Sequence, residues 1–464
     1  MKRVDLAVLG GGSAGFSAAI RAHDLGASVA LIEGGTIGGT CVNVGCVPSK
    51  TMIRAADAYH RTRHSPYPGL TPLGATLDYA RVVEQKDELV RNLRQGKYID
   101  VLSGYPGVTL LRGHATFTGP QTLDVDGETV HVNKIVVTTG SRPWVPDVPG
   151  LQESGFWTST EALAATTLPK SLLVVGGRYI AVELAQTFAR FGTRVTVLQR
   201  SAHLLPDGEP EIGLELQNML EGEGLEVHTN VELRRVSRQG GVQLQVLVNG
   251  EPREFRAEQL LMATGRHPNT EGFGLEALGV QLGERGALEV DAHLQSNVPG
   301  VYAAGDVTGH AQYVYVAAYE GSLAAENALN GNARKLDLKA VPGVTFSDPA
   351  VATVGLTEAQ AIQAGRTVRT SVLPMSSVPR AQVNFDTRGL IKLVADAAST
   401  EIIGAHILAP DAGEMIQPAV FAVKYGLTIQ DFTDTLFPYL THVEGLRLAA
   451  RAFDTDPKKL SCCA

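Results

Sequence analysis

Cysteine is scarce, with four residues in 464. That excludes a small disulfide-stapled scaffold, whose cohesion depends on dense cysteine. Long apolar runs are missing as well. No stretch approaches the ~20 residues needed to span a bilayer, so no membrane insertion is expected. The lead before Gly10 is too short for a secretory signal, which points to a cytoplasmic protein. No basic cluster breaks the net charge of -8, which argues against nucleic acid or an anionic membrane surface as partner. Hydrophobic residues make up 44% of the chain and charged residues 19%. Such a chain buries several cores and is not disordered, and its length suits about three domains. The four cysteines form two close pairs, Cys41/Cys46 and Cys462/Cys463. In a reducing compartment such cysteines are more often catalytic or metal-binding than structural.

The first segment reads as strand, glycine turn, helix and strand. An apolar run, Val4 to Leu9, leads into Gly10-Gly11-Gly12-Ser13-Ala14-Gly15, a helical stretch from Ser17 to Leu25, and a strand ending at Glu33. This is a dinucleotide-binding fingerprint in full context. Gly10 permits the tight turn, Gly12 lets backbone approach a pyrophosphate, and Gly15 lets helix and strand pack closely. The helix N-terminus offers unpaired N–H groups to phosphate, and Glu33 can accept hydrogen bonds from a ribose.

A second unit of the same spacing starts near Ser171. The strand Leu172 to Val175 runs into Gly176-Gly177-Arg178-Tyr179-Ile180-Ala181, a helix to Phe191, and a strand ending at Gln199-Arg200. Where the first unit ends in an acid, this one ends in a neutral amide and a cation. That pair suits a 2′-phosphate, so NADPH is preferred to NADH. Arg178 stands where the middle glycine belongs. Its side chain should obstruct close backbone approach, although its guanidinium could contact phosphate instead.

Strands ending in Thr138-Thr139-Gly140 and Thr264-Gly265-Arg266 look like the returning strands of the two folds. Val301-Tyr302-Ala303-Ala304-Gly305-Asp306 places a carboxylate at a strand's C-terminal edge, where ligands lie in open α/β sheets; Asp306 is expected to meet a flavin side chain. After about residue 341 the texture changes to mixed strands (Ile391 to Val394, Glu401 to Leu408) and helices (Glu414 to Tyr425, Val443 to Phe453), with no third glycine fingerprint. The expected fold class is α/β, with two Rossmann-like dinucleotide folds and a C-terminal α+β dimerisation domain. The expected boundaries are 1–144 and 269–340 for the first fold, 145–268 for the second, and 341–464 for the last domain.

The run Gly38-Gly39-Thr40-Cys41-Val42-Asn43-Val44-Gly45-Cys46-Val47-Pro48-Ser49-Lys50 closely resembles the redox-active disulfide motif of the flavoprotein disulfide reductases, and the resemblance covers essentially the whole chain. It implies a homodimer with active sites at the subunit interface. It also implies FAD held around Gly10, Gly12, Ser13, Ala14, Gly15, Glu33, Gly39, Thr40, Lys50, Thr139, Gly140, Gly305 and Asp306. NADPH would be held around Gly176, Arg178, Tyr179, Gln199, Arg200 and Gly265. In that class Cys46 would lie by the flavin, Cys41 would be the exchange thiol, and Lys50 would pair with Glu183. Flavin and disulfide are both two-electron couples, so electrons pass in pairs. A thiolate beside an electron-poor flavin is stabilised, so a lowered pKa is expected at Cys46.

Members that reduce dithiol substrates carry His-Pro-Thr-x-x-Glu near the C-terminus, a proton-transferring pair. Here the stretch reads Phe437-Pro438-Tyr439-Leu440-Thr441-His442. A phenylalanine transfers no proton, and His442 stands at the glutamate's position, where packing or surface is the expectation. The chain ends Leu460-Ser461-Cys462-Cys463-Ala464. Adjacent cysteines close a strained ring but suit a soft metal ion. With Phe-Pro-Tyr-Leu-Thr and the cysteine motif, this ending resembles the mercuric reductases. The resemblance implies that Cys462 and Cys463 capture Hg(II) from thiolate complexes and pass it to Cys41 and Cys46 of the partner subunit. Tyr179 would cover the flavin face, and Tyr439 would contact the metal site. Many of that family carry an N-terminal metal-binding domain; its absence is expected here, leaving capture to direct delivery by thiols or by a transient contact with a mercury transporter. A disulfide or dithiol reductase of the glutathione reductase or dihydrolipoamide dehydrogenase type is the alternative. A metal-sequestering protein with a vestigial flavin site is a third.

Overall fold

The computed structural model describes residues 2–456 and Lys459; Cys462 and Cys463 lie outside the described residues. The first apolar run forms β1 (Lys2–Leu9), and the small residues after the glycine turn form α1 (Ser13–Asp24), which leads into β2 (Val29–Glu33). Helix α1 starts at the fingerprint itself, earlier than its apolar pattern suggests. Its N-cap is Gly12, and no side chain caps it. The cysteine motif folds as two consecutive helices, α2 (Gly39–Val44) and α3 (Cys46–Arg61), broken at Gly45.

Among the described residues the chain divides into two compact units. One gathers residues up to Thr51, Arg81–Trp144 and Gly265–Asp337. Its sheet adds β3 (Val108–Arg112), β4 (Ala115–Gly119), β5 (Thr122–Val125) and β6 (Glu128–Val137) to the first two strands, in the order β3-β2-β1-β6-β5-β4. The pairs β3/β2, β2/β1 and β1/β6 are parallel, and the strand Val301–Ala303 joins β6 in parallel. Strand β6 is the returning strand read from Ile135 to Thr138. Its apolar residues fall on both faces, as expected for strands covered on two sides. Leu9, Ile32, Ile135 and Val137 enter one core, while Leu6, Val8, Leu31 and Val136 enter the other. On the second face the helix Val314–Asn330 crosses α1 at small residues. A Cβ on Gly321 would stand 2.0 Å from the Ala14 carbonyl oxygen, so glycine is what lets the two backbones meet.

The other unit holds Met52–Ala80, Val145–Thr264 and residues from Leu338 on. Its parallel sheet runs Glu226–His228, Arg194–Leu198, Ser171–Val175, Gln259–Met262. The helix Tyr179–Phe191 follows the second glycine turn, and Gly192 closes it in a left-handed conformation. The C-terminal part is antiparallel, in the order Gly343–Thr345, Ala350–Gly355, Ile402–Ala409, Leu390–Asp396, Val368–Pro374. Helices Gln417–Tyr425, Ile429–Asp434 and Glu444–Arg451 each pack one apolar face on the same core. The change from parallel to antiparallel pairing gives the change of sequence texture near residue 341 its structural meaning.

Candidate functional site

In the first unit the glycine turn is made by contacts that only bare backbone tolerates. A Cβ on Gly15 would fall 1.8 Å from the Gly10 carbonyl oxygen, and one on Gly10 2.5 Å from that of Thr138. A Cβ on Gly12 would find only the Gly39 Cα, 3.6 Å away, so that side of the turn is open to a ligand. No acid stands in the first turn of α1, so its N-terminal N–H groups and positive end face outward for an anion. Glu33 accepts from the N–H groups of Gly11 (2.7 Å) and Gly35 (2.6 Å), which fixes its carboxylate beside the turn.

The cysteine helices are seated on this turn. Gly39, at the start of α2 with φ +61°, would place a Cβ 2.7 Å from the Gly12 Cα. Asn43 pins the entry by donating to the Gly39 (2.9 Å) and Ile37 (3.0 Å) carbonyls, and it accepts from Arg94 (3.1 Å). Cys41 and Cys46 are half-buried and not joined in a disulfide. Their mutual hydrogen bond, then burial and the charge of Cys46, push the Cys41 thiol well above the usual range; Lys50 pulls the other way. Once one thiolate exists the other sulfur keeps its proton, which a soft metal ion displaces. Lys50 is one helical turn from Cys46 on the same face of α3.

At the third edge Asp306 follows Gly305 (φ +78°) and accepts from the Ser141 hydroxyl at 2.6 Å. Arg266 donates to the Ser141 hydroxyl (2.8 Å) and carbonyl (2.7 Å), linking the strands Ser141–Pro143 and Arg266–Pro268 at one carboxylate. Thr139 donates to the Asn269 carbonyl at 2.5 Å. Bare glycine backbone, an uncapped helix N-terminus, a fixed acid at the end of β2 and a second carboxylate at a strand edge form a donor and acceptor set that fits a flavin dinucleotide.

The second unit repeats the cradle. A Cβ on Gly176 (φ +124°) would meet the Ala263 carbonyl oxygen at 2.3 Å, and one on Gly177 the Gln199 side chain at 2.8 Å. Gln199 is buried and accepts from the Arg200 N–H, while the Arg200 side chain is exposed. Arg178 is the N-cap of Tyr179–Phe191, again with no acid in the first turn. Its guanidinium is engaged by Asp207 rather than lying over the turn as an uncommitted obstruction. Together the exposed Arg200, the buried Gln199 and the uncapped helix fit a dinucleotide bearing an additional phosphate. Glu183, about one turn into the same helix, is buried and accepts from the Phe346 N–H at 2.9 Å. In the C-terminal part Phe437 packs on Phe432, with ring centroids 5.9 Å apart. His442 is buried, with Nδ1 3.1 Å from Asp411 and Nε2 facing the Asn384 amide. Between them Tyr439 is exposed.

Residues 4–321 match the model of the pyridine nucleotide-disulphide oxidoreductases, and residues 341–450 match the dimerisation domain of the same family. The chain belongs to the pyridine nucleotide-disulphide oxidoreductase family. It is an enzyme of that family, a flavoprotein oxidoreductase whose cofactors are FAD and NADPH. It is 48% identical to a mercuric reductase of Staphylococcus aureus over 99% of this chain and 84% of that one. With a mercuric reductase of Streptomyces lividans the identity is 46%, over 99% and 98% of the two chains. Among solved structures, the Cu(II) complex of the HOCl-induced flavoprotein disulfide reductase RclA from Escherichia coli superposes with a TM-score of 0.86 at 32% identity, over 97% of this chain and 99% of that one. Among the described residues no helix is long and apolar enough to cross a membrane.

Two residues of this oxidoreductase went unseen in the sequence. Tyr98 sits in a π-helical turn, Gln95–Ile99. It packs edge-on against Phe16 at 4.8 Å and hydrogen-bonds with Ser13. Burial raises its phenol pKa, and the nearby cysteine thiols add to that. Glu320 is completely buried, accepting from the Gly305 N–H at 2.7 Å and lying 2.8 Å from His310 Nδ1. It thereby fixes the turn that aims Asp306. An acid set among alanine and glycine on a largely apolar helix was the signal for Glu320; Tyr98 offered none.

Proposed function

We propose that this enzyme reduces Hg(II) to Hg(0) with electrons from NADPH, the metal being held by Cys41 and Cys46. The observation that carries the reading is Phe437, whose partly buried ring packs against Phe432 at the edge of the C-terminal core, at the position where dithiol-reducing relatives carry a proton-transferring histidine. His442 does not replace that function, because its ring is committed to Asp411 and Asn384. With a phenylalanine at position 437, the site suits a substrate that exchanges thiolates rather than protons. The similarity to mercuric reductases supports the same substrate.

Bound FAD would pass two electrons from NADPH to a metal held by the thiolates. The chain's own residues do the rest. Gly12, Glu33 and Asp306 hold and orient that cofactor, while Gln199 and Arg200 select the 2′-phosphate. Tyr179 covers the nicotinamide entry. Cys41 and Cys46 release their protons as they bind Hg(II), with Lys50 favouring the anionic sulfur beside it. Tyr439 contacts the metal site during ligand exchange. Two electrons then convert Hg(II) to Hg(0), which has little affinity for thiolate and leaves. Cys462 and Cys463 of the partner subunit deliver the ion, trading one thiolate for another at little net cost. A thiol complex or a mercury transporter supplies it in the cytoplasm.

The test is NADPH oxidation with and without Hg(II) in excess thiol, comparing the wild type with a Cys462→Ala/Cys463→Ala double variant. Mercury-dependent oxidation is expected in the wild type and severe loss in the variant, while flavin reduction by NADPH persists in both. Normal mercury turnover by the double variant would remove terminal capture. Turnover of glutathione disulfide or lipoamide at a comparable rate would replace the whole reading.

A further inference from the structure

We infer that Arg178 is a diphosphate-binding residue for NADPH and that Asp207 is its counter-ion in the free protein, holding the place of the diphosphate. The inference rests on NADPH occupying the second dinucleotide fold. Arg178 replaces the middle glycine of that fingerprint and caps a helix whose first turn carries no acid. Its backbone is extended (φ -89°, ψ -178°), so the residue sits there without strain. The guanidinium meets the Asp207 carboxylate at two points, Nη1 to Oδ2 at 2.5 Å and Nη2 to Oδ1 at 2.9 Å.

Asp207 is mounted for this role. The turn that carries it is tied to the fingerprint, because the Leu205 N–H donates to the Gly177 carbonyl at 2.8 Å. Leu204 is fully buried beneath it, and its Cδ2 lies 3.0 Å from where a Gly177 Cβ would be. The carboxylate is therefore held near the phosphate-binding turn by backbone, not by a loose loop. Arg178 and Asp207 are 53% and 63% exposed, respectively. A pair so exposed is weak and screened by water and salt. A diphosphate brings two negative charges to the positive end of the helix and binds a guanidinium bidentately. It displaces Asp207 with a net gain. The departure from the glycine pattern thus replaces close backbone approach with a charge-assisted contact, and Asp207 sets how readily that contact forms.

The experiment is calorimetric titration of the FAD-containing enzyme with NADP+ at two salt concentrations, for wild type, Asp207→Asn, Arg178→Ala and the double variant. Asp207→Asn should tighten NADP+ by about two- to fivefold, the scale of an exposed ion pair. Arg178→Ala should weaken binding and flatten its salt dependence. In the Arg178→Ala background, Asp207→Asn should change nothing. The inference is overturned if Asp207→Asn fails to tighten binding. It is overturned equally if that substitution tightens binding as much without Arg178, since Asp207 would then be a plain repulsive charge. Failure of wild type to bind NADP+ at all would instead remove the underlying assignment of the dinucleotide.

Discussion

Gly39 meets Gly12 backbone to backbone: a Cβ on Gly39 would stand 2.7 Å from the Gly12 Cα. The start of the redox helix is thus pressed onto the turn that receives pyrophosphate, and the separation between thiols and cofactor cradle is set by two missing side chains. Gly39→Ala should destabilise the protein by at least about 1 kcal/mol, because φ is +61° there and a left-handed alanine is costly. It should also lower FAD retention. Gly12→Ala should behave differently. Its Cβ finds the nearest atom 3.6 Å away, so the apoprotein should melt near the wild-type temperature while FAD binding is lost. Melting curves with and without added FAD separate the two effects; equal FAD content in all three proteins would show the contact to be idle.

Glu320 predicts a rescue pattern. Glu320→Leu leaves the Gly305 N–H without its acceptor, which costs about 1–3 kcal/mol, and frees the turn before Asp306. Glu320→Gln retains a carbonyl oxygen that can accept the same bond. The leucine variant should lose stability and FAD in urea titration and flavin absorbance, and the glutamine variant should recover most of both. Identical behaviour of the two would assign Glu320 to packing alone.

Lys392 is buried among Glu209 (2.9 Å), Glu211 (3.0 Å) and Glu358 (2.8 Å), and Glu209 is itself buried. Lys392→Met abandons these carboxylates without a cation, at a cost of about 3–5 kcal/mol. Against the effect of burial, a backbone hydrogen bond and Lys392 hold the Glu211 carboxyl below its usual range, so the loss measured by urea unfolding should shrink from pH 7 to pH 4 as that group takes up a proton. A pH-independent loss would indicate a packing defect instead.

His60 links stability to pH. Burial, with the nearby Arg190 charge, lowers its pKa from 6.5 to about 4. The unfolded chain therefore takes up the proton first as pH falls. Its contribution is fully present above pH 6.5 and lost progressively down to about pH 4. His60→Asn should flatten the fall of melting temperature across that window. An unchanged slope would place the titration elsewhere.

The parts legible in the sequence are those whose residues are neighbours along the chain. Gly10 to Glu33, Gly176 to Arg200 and Cys41 to Lys50 carry their geometry in spacing, because a strand, a turn and a helix fix where each following residue points. The helix from Tyr179 and the strand Arg194–Leu198 stand where the pattern placed them, whereas α1 begins at Ser13, four residues before its apolar pattern. A helix N-terminus is set by the turn preceding it, here bare glycine, not by amphipathicity.

By itself the sequence determined two dinucleotide folds, a cysteine pair that starts eight residues after Glu33 at the end of the first acid's strand, and a phenylalanine rather than a histidine at position 437. Local stereochemistry suffices for these, since glycine's freedom and a side chain's chemistry travel with the residue. Only the tertiary structure decided that Glu320 holds the turn before Asp306, that Tyr98 joins Ser13 near the thiols, that Ser141 and Arg266 share one carboxylate, and that Arg178 is held by Asp207. Each of those contacts joins residues far apart along the chain. No periodicity records such a meeting, because it depends on how strands and helices stack and which backbones glycine allows to touch.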